Sequence, residues 1–279
     1  MKNLSVKVAV PGSQDYAHMD VTLYEPKDEL KLKERPLVLI LPGGGYRYTS
    51  AREADPIAAQ FLSMGYDTAI LYYSCAPVVY PTSLLELAFS FKFLKDNSAE
   101  FHIDPERIIL CGFSAGAHLA ASFGTGYFLP VITEHFKVTE DELKPAAMIL
   151  AYPVITSGKF AHRDSFNALL GPDKDDPKKL EWVSLENRVS ERTVPAFIWH
   201  TFEDGSVPLE NSLLFANAMR AAGVPFEYHV FPTGGHGLSL ATPATFSPSG
   251  NQYDPAAAQW IELCKTWLLK TFGLIKEDA

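Results

Sequence analysis

The stretch Ile109-Leu110-Cys111-Gly112-Phe113-Ser114-Ala115-Gly116-Ala117-His118-Leu119 limits what this chain can fold into more than any other. An apolar run stops at Gly-x-Ser-x-Gly, and a small-residue helix start follows at once. The order strand, sharp turn, helix puts Ser114 at the apex, its side chain forced outward at the end of a sheet. Gly112 and Gly116 leave room for the strained backbone and for close contact between helix and strand. Gly-x-Ser-x-Gly also arises by chance in loops. Here residues 107–111 read as the strand before it and 115–123 as the helix after it, which is the setting the motif needs. Ser114 is the candidate nucleophile.

A chain of 279 residues with 47% apolar content suits one large α/β domain with a sizeable core. Its net charge of -9 argues against nucleic acid or an anionic membrane as partner, since both repel an acidic surface. The first residues, Met1 to Lys7, lack the apolar stretch of a signal peptide, and no run has the length of a membrane span. The cysteines, Cys75, Cys111 and Cys264, are odd in number and far apart, and the latter two read as buried hydrophobes. A cytoplasmic protein without disulfides is the expectation.

Strands are predicted over 5–10, 20–24, 36–41, 67–73, 107–111, 146–152, 196–200 and 226–231. Helices are predicted over 55–64, 81–97, 115–123, 209–222 and 255–272, with stops at Gly65, Gly223 and Gly273. From Pro36 onward, apolar β-rich runs alternate with helical patterns, the signature of a mostly parallel sheet covered on both faces. The first two strands are more polar and read as an antiparallel edge hairpin. No internal repeat or linker splits the chain, so residues 1–279 form a single predicted domain. Two long connections stand out, 153–193 and 237–254, and long connections in compact α/β domains are often functional. The first reads equally as a partial lid over the site or as a surface excursion.

A serine hydroxyl needs a base to remove its proton, and the base needs a partner to orient it. In a strand-turn-helix nucleophile of this kind the order along the chain is Ser, then Asp or Glu, then His. His236 is the only histidine that follows the last predicted strand, and glycines flank it in Thr233-Gly234-Gly235-His236-Gly237. It is the candidate base. Glu203 and Asp204 both follow the strand at 196–200; Asp204, before Gly205 and ahead of Val207-Pro208, has the turn setting that fixes a short carboxylate. Glu203 then reads as a solvated turn residue. The oxyanion of acyl transfer also needs donors. The NH of Ala115 supplies one, and the glycine-rich loop Leu41-Pro42-Gly43-Gly44-Gly45-Tyr46 supplies the others.

Several further residues have two readings. His118 is taken as a packing or hydrogen-bonding residue, and His200 as a buttress of the Asp204 loop. Tyr46, Arg47, Tyr48 and Arg52 follow the glycine loop, where they either line the alcohol side of the site or sit on the surface. Tyr72 and Tyr73 read as packing. No His/Cys/Asp cluster has zinc spacing and the triple glycine lacks the Lys-Ser/Thr of a phosphate loop, so neither metal nor nucleotide cofactor is expected.

Pro42-Gly43-Gly44-Gly45-Tyr46, Gly112-Phe113-Ser114-Ala115-Gly116, Asp204 and Gly235-His236-Gly237 together resemble the α/β-hydrolase superfamily. More narrowly, they resemble its bacterial esterase/lipase branch, which includes acetylxylan-esterase-like carboxylesterases. The likeness runs from about Pro36 to the final helix and takes in Tyr66-Asp67-Thr68-Ala69 and His118-Leu119-Ala120. It implies an α/β-hydrolase fold with an eight-stranded, mostly parallel sheet, helices on both faces, and a small or absent cap. It also implies an oxyanion hole from Gly44, Gly45 and Ala115, and activity on short acyl esters, commonly acetyl groups on sugars. Hormone-sensitive-lipase-like relatives carry His where this chain has Pro42, which leaves the NH donors in place. Many relatives carry a second glycine where this chain has Ala117. The short stretch before Ser114 has no room for the N-terminal cap of those lipases, and an open site suits a polar or bulky alcohol.

The expectation is a serine carboxylesterase acting on a small-molecule ester, acylated sugars included, through Ser114, His236 and Asp204. Two rivals are a prolyl-oligopeptidase-like serine peptidase, which usually carries a large N-terminal propeller, and a non-catalytic binding protein of the same fold, which usually loses triad residues. The sequence leaves monomer and homo-oligomer equally open.

Overall fold

The computed structural model describes residues 1–248 and 253–274. Eight strands form one sheet: β1 (Lys2–Lys7), β2 (His18–Leu23), β3 (Arg35–Leu41), β4 (Asp67–Tyr72), β5 (Ile103–Phe113), β6 (Ala147–Ala151), β7 (Ala196–Thr201) and β8 (Phe226–Phe231). Their order across the sheet is β1-β2-β4-β3-β5-β6-β7-β8. β1 pairs antiparallel with β2, and β2 with β4, while every pair from β4 to β8 is parallel. The fold is the expected α/β-hydrolase architecture, with the polar hairpin at one edge.

Burial explains the patterning. β3, β6 and β7 are buried at every residue, as strands covered on both faces must be, so they read as continuous apolar runs. Alternate residues of β3 serve two separate cores: Leu37, Leu39 and Leu41 face one, Val38 and Ile40 the other. The first core takes α2 (Thr82–Asp96), α4 (Ala115–Gly124) and α8 (Glu210–Ala221); the second takes α1 (Asp55–Ser63) and α9 (Trp260–Phe272). Cys111 and Cys264 lie in that second core, as their sequence setting suggests.

Several boundaries differ from expectation, each for a local reason. The first strand runs over Lys2–Lys7 rather than 5–10 because Ser13 N bonds Val10 O, closing a turn around Pro11-Gly12. β5 starts at Ile103, and its pairing with β3 jumps from Arg35↔Ile103 to Leu37↔Ile108, so Pro105 falls where no ladder donor is required. Short helices also appear where none was anticipated: α3 (Ser98–Phe101), α5 (Pro130–Phe136), α6 (Arg163–Leu170) and α7 (Pro177–Trp182). The last two occupy the long connection 153–193, whose Phe166, Leu169, Leu170, Val183 and Leu185 join the first core. Residues 249–252 of the other connection, 237–254, lie outside the described residues. Among the described residues, no helix is long and apolar enough to cross a membrane.

Candidate active site

Ser114, Asp204, His236 and the glycine loop follow the carboxyl ends of the parallel strands β5, β7, β8 and β3, where open α/β sheets hold their ligands. Ser114 joins β5 to α4 with φ 54° and ψ -116°, a strained conformation for any residue other than glycine. It persists because both sides are tied down: Ser114 N donates to Ala151 O on β6, and Ser114 O accepts from Ala117 N and His118 N. Gly116 explains the closeness of α4 to β3. A Cβ there would stand 2.0 Å from Leu41 O and 2.5 Å from Pro42 O, so only glycine lets the first turn of α4 press against the glycine loop.

The structure brings together the three residues that the sequence left far apart. Ser114 Oγ lies 2.7 Å from His236 Nε2, and His236 Nδ1 lies 2.7 Å from Asp204 Oδ2. Since Asp204 accepts at Nδ1, that nitrogen carries the imidazole proton, which leaves Nε2 to accept from the serine hydroxyl. Asp204 is buried, and burial alone would raise its pKa. Hydrogen bonds from His200, His236 and the NH of Val207 outweigh it and hold the carboxyl well below the usual carboxylate range. His200 Nε2 bonds Asp204 Oδ2 at 3.1 Å and Val207 O at 3.0 Å, which is the buttress anticipated for it. Glu203 is exposed at the neighbouring turn, where its carboxylate accepts from Gly234 N at 3.3 Å.

The glycine loop lies against Ser114. Gly44 and Gly45 have φ +130° and +64° and line the cleft together with Ser114. Among the described residues, no acceptor takes a hydrogen bond from the NH groups of Gly44, Gly45 or Ala115. Three anchors fix this loop. Tyr73 Oη donates to Pro42 O at 2.7 Å, Gly43 N donates to Glu53 Oε2 at 2.8 Å, and Tyr46 Oη lies 2.8 Å from His118 Nδ1. His118 donates through Nε2 to Val183 O, and burial lowers its pKa to about 4, so it stays neutral and accepts from Tyr46. It is a structural residue, as expected.

Sequence reasoning missed Glu53 and Tyr152. Glu53 is 3% exposed, and burial raises its pKa against the hydrogen bonds from Tyr152 and Gly43. Tyr152, just after β6, has φ +37°, donates to Glu53 Oε1 at 2.6 Å, and sets its ring edge-on to His236 at 5.1 Å.

The cleft above Ser114 is open, of about 650 Å³, and its walls mix polar side chains with apolar surface. Arg47, Tyr48 and Arg52 line it, whereas Tyr46 is turned inward to His118. Tyr73 is buried as expected, and Tyr72 stacks on His18. Both long connections border the opening, the first through His162 and Asp164, the second through Gly237, Ser247 and Pro248. His162 lies parallel to His236, ring centroids 6.5 Å apart, and Arg47 stands 3.9 Å from Asp164 across the rim.

Comparison with known proteins places this arrangement in a family. The BD-FAE family pattern matches residues 19–219. The chain is similar to endo-1,4-β-xylanase B of Butyrivibrio fibrisolvens, 36% identical over 82% of this chain and 36% of that protein. It is similar to the acetylxylan esterase of Xylanibacter ruminicola, 28% identical over 72% of this chain and 41% of that protein. The chain thus spans well under half the length of both of these curated relatives. Among solved structures, it resembles the acetyl ester-xyloside bifunctional hydrolase of Caldicellulosiruptor lactoaceticus, with TM-score 0.82, 34% identity, and 96% and 93% of the two chains covered. With its sheet order, its strained Ser114 and these similarities, the chain belongs to the BD-FAE family, on the esterase branch of the α/β-hydrolases.

Proposed function

We propose that this chain is a serine carboxylesterase that cleaves short acyl esters, acetyl above all, from a polar alcohol of the carbohydrate kind. The observation that carries the reading is the unbroken line from Ser114 Oγ through His236 to Asp204, with 2.7 Å at each step, beside backbone NH groups that have no acceptor among the described residues. His236 Nε2 takes the proton as Ser114 Oγ attacks the ester carbonyl. Asp204, ionised, holds the ring in place and stabilises the imidazolium. The NH groups of Gly44, Gly45 and Ala115 donate to the tetrahedral oxyanion, and the positive end of α4 adds to the same field. Collapse returns the proton from His236 to the departing alcohol and leaves an acyl-serine. Water, deprotonated by the same imidazole, then releases the acid and restores Ser114.

Arg47, Thr49, Ser50, His162, Asp164 and Ser247 offer donors and acceptors in an open space, which suits a hydroxyl-rich alcohol better than a lipid chain. The similarity to an acetylxylan esterase and to an acetyl ester-xyloside hydrolase supports acetylated xylose-based saccharides. A panel of p-nitrophenyl esters from acetate to decanoate, run beside acetylated xylo-oligosaccharides, tests the reading. The expected order is acetate first with a steep fall beyond butyrate, together with release of acetate from the saccharide. Turnover that rises with chain length, or none on either substrate, would refute it.

A further inference from the structure

The proposed chemistry requires two loops to be held together, and the sheet does not do it. The oxyanion donors follow β3 and the base follows β8, with β5, β6 and β7 lying between those strands. What crosses the gap is a chain of hydrogen bonds through buried side chains. Ser239 N donates to Tyr152 Oη at 2.9 Å; Tyr152 Oη donates to Glu53 Oε1 at 2.6 Å; Gly43 N donates to Glu53 Oε2 at 2.8 Å. Ser239 Oγ closes a ring by donating to Arg52 O at 2.5 Å. Ser239 lies three residues beyond His236 with φ +56°, and Gly43 immediately precedes the donors Gly44 and Gly45.

The arrangement costs stability, which marks it as more than packing. Tyr152 holds a positive φ that a bulky side chain rarely adopts. Glu53 keeps a carboxyl buried, which folding tolerates only when its oxygens are bonded. Tyr152 spends its oxygen lone pair on Ser239 N, so its proton is aimed at Glu53, and both carboxyl oxygens serve as acceptors. An apolar pair would fill the same volume without burying a carboxyl, but it would not fix Gly43 N and Ser239 N relative to each other. The ring of Tyr152 also supports His236 directly.

We infer that Glu53 and Tyr152 are positioning residues, a buried strut that sets the oxyanion loop and the loop of the base in register across the mouth of the site. The inference rests on the esterase reading above. It differs from a merely structural role in what it predicts: loss of either member should weaken binding of the transition state and not that of the ester.

The test uses the full chain with the isosteric variants Glu53→Gln, Tyr152→Phe and both together. Turnover of p-nitrophenyl acetate, inhibition by phenylboronic acid as a tetrahedral analogue, and melting temperature are measured for each. Each single variant should lose about tenfold or more in kcat with KM changed less than about threefold, and Ki for the boronic acid should rise in step with the loss in kcat/KM. The double variant should lose no more than the worse single one, because one strut is broken either way. Singles within about twofold of the parent, losses confined to KM, or effects that multiply in the double variant would each overturn the strut. If one variant fails to fold, the other decides. If the parent protein turns over no ester, the esterase reading fails, and the strut falls with it; an active parent with active variants refutes the strut alone.

Discussion

His200 and Asp204 form a fully buried contact of 3.1 Å on the face of the carboxylate that His236 also uses. Asp204 Oδ2 therefore accepts from two imidazoles, while Oδ1 accepts from Ser206 N at 3.0 Å and Val207 N at 2.9 Å. Every position around the carboxylate is filled by a donor. An asparagine cannot satisfy this pattern in either orientation, since its NH₂ would meet two ring NH groups or two backbone NH groups. Asp204→Asn should therefore lower kcat on p-nitrophenyl acetate by about three to four powers of ten, with the wrong tautomer at His236 as the cause. Steady-state kinetics check this. A loss below about tenfold would mean that Asp204 does not set the tautomer.

Gly44 makes a second test. A Cβ there would stand 2.1 Å from Tyr48 O, at a φ of +130° that L side chains rarely adopt. Gly44→Ala must shift the loop and turn the NH of residue 44 away from the oxyanion. The expected outcome is a fall in kcat of about two to three powers of ten with less change in KM, while a fluorophosphonate still labels Ser114, more slowly. Kinetics on acetate esters within about tenfold of the parent would remove Gly44 from the oxyanion hole.

Asp67 yields a prediction about pH and stability. It opens β4 beneath the edge hairpin, accepts from Tyr24 N at 2.7 Å through Oδ1, and has its other oxygen buried without a partner among the described residues. Burial raises its pKa to about 7, against the opposing Tyr24 bond and the charge of Arg35. The folded value is above the unfolded one, so the folded chain binds the extra proton. Its contribution is full below about pH 4, declines as pH rises to about 7, and is flat beyond. Asp67→Asn retains the acceptor for Tyr24 N and removes the charge. Its melting temperature should exceed that of the parent by several degrees at about pH 8, with the gap closing towards about pH 4. Parallel melting curves at all pH values would contradict the assignment.

Much of this site was legible along the chain because its signals are local. Gly112-Phe113-Ser114-Ala115-Gly116 carries its own turn, and β3, β6 and β7 announce themselves as unbroken apolar runs. Asp204 and His236 could be read from their places after successive strands. Glu53 and Tyr152 could not. Glu53 sits in Ala-Arg-Glu-Ala-Asp, which reads as a solvated helix start, and its burial comes from the adjacency of the β3 and β6 loops. Tyr152 looked like the end of a strand, since its positive φ follows from the tertiary ties at Trp199 O and Ser114 rather than from its neighbours. α6 and α7 are too short for periodicity to stand out, and they form because Phe166, Leu169 and Val183 find a core contributed by other segments.

The nucleophile itself is the most direct test. Ser114→Ala removes one oxygen from a buried elbow and leaves the backbone, α4 and the glycine loop in place, so circular dichroism and melting should stay near those of the parent. On p-nitrophenyl acetate, kcat/KM should fall by about four powers of ten or more, and fluorophosphonate labelling should vanish. A folded Ser114→Ala protein that turned over acetate esters at the parent rate would contradict the relay from Ser114 through His236 to Asp204.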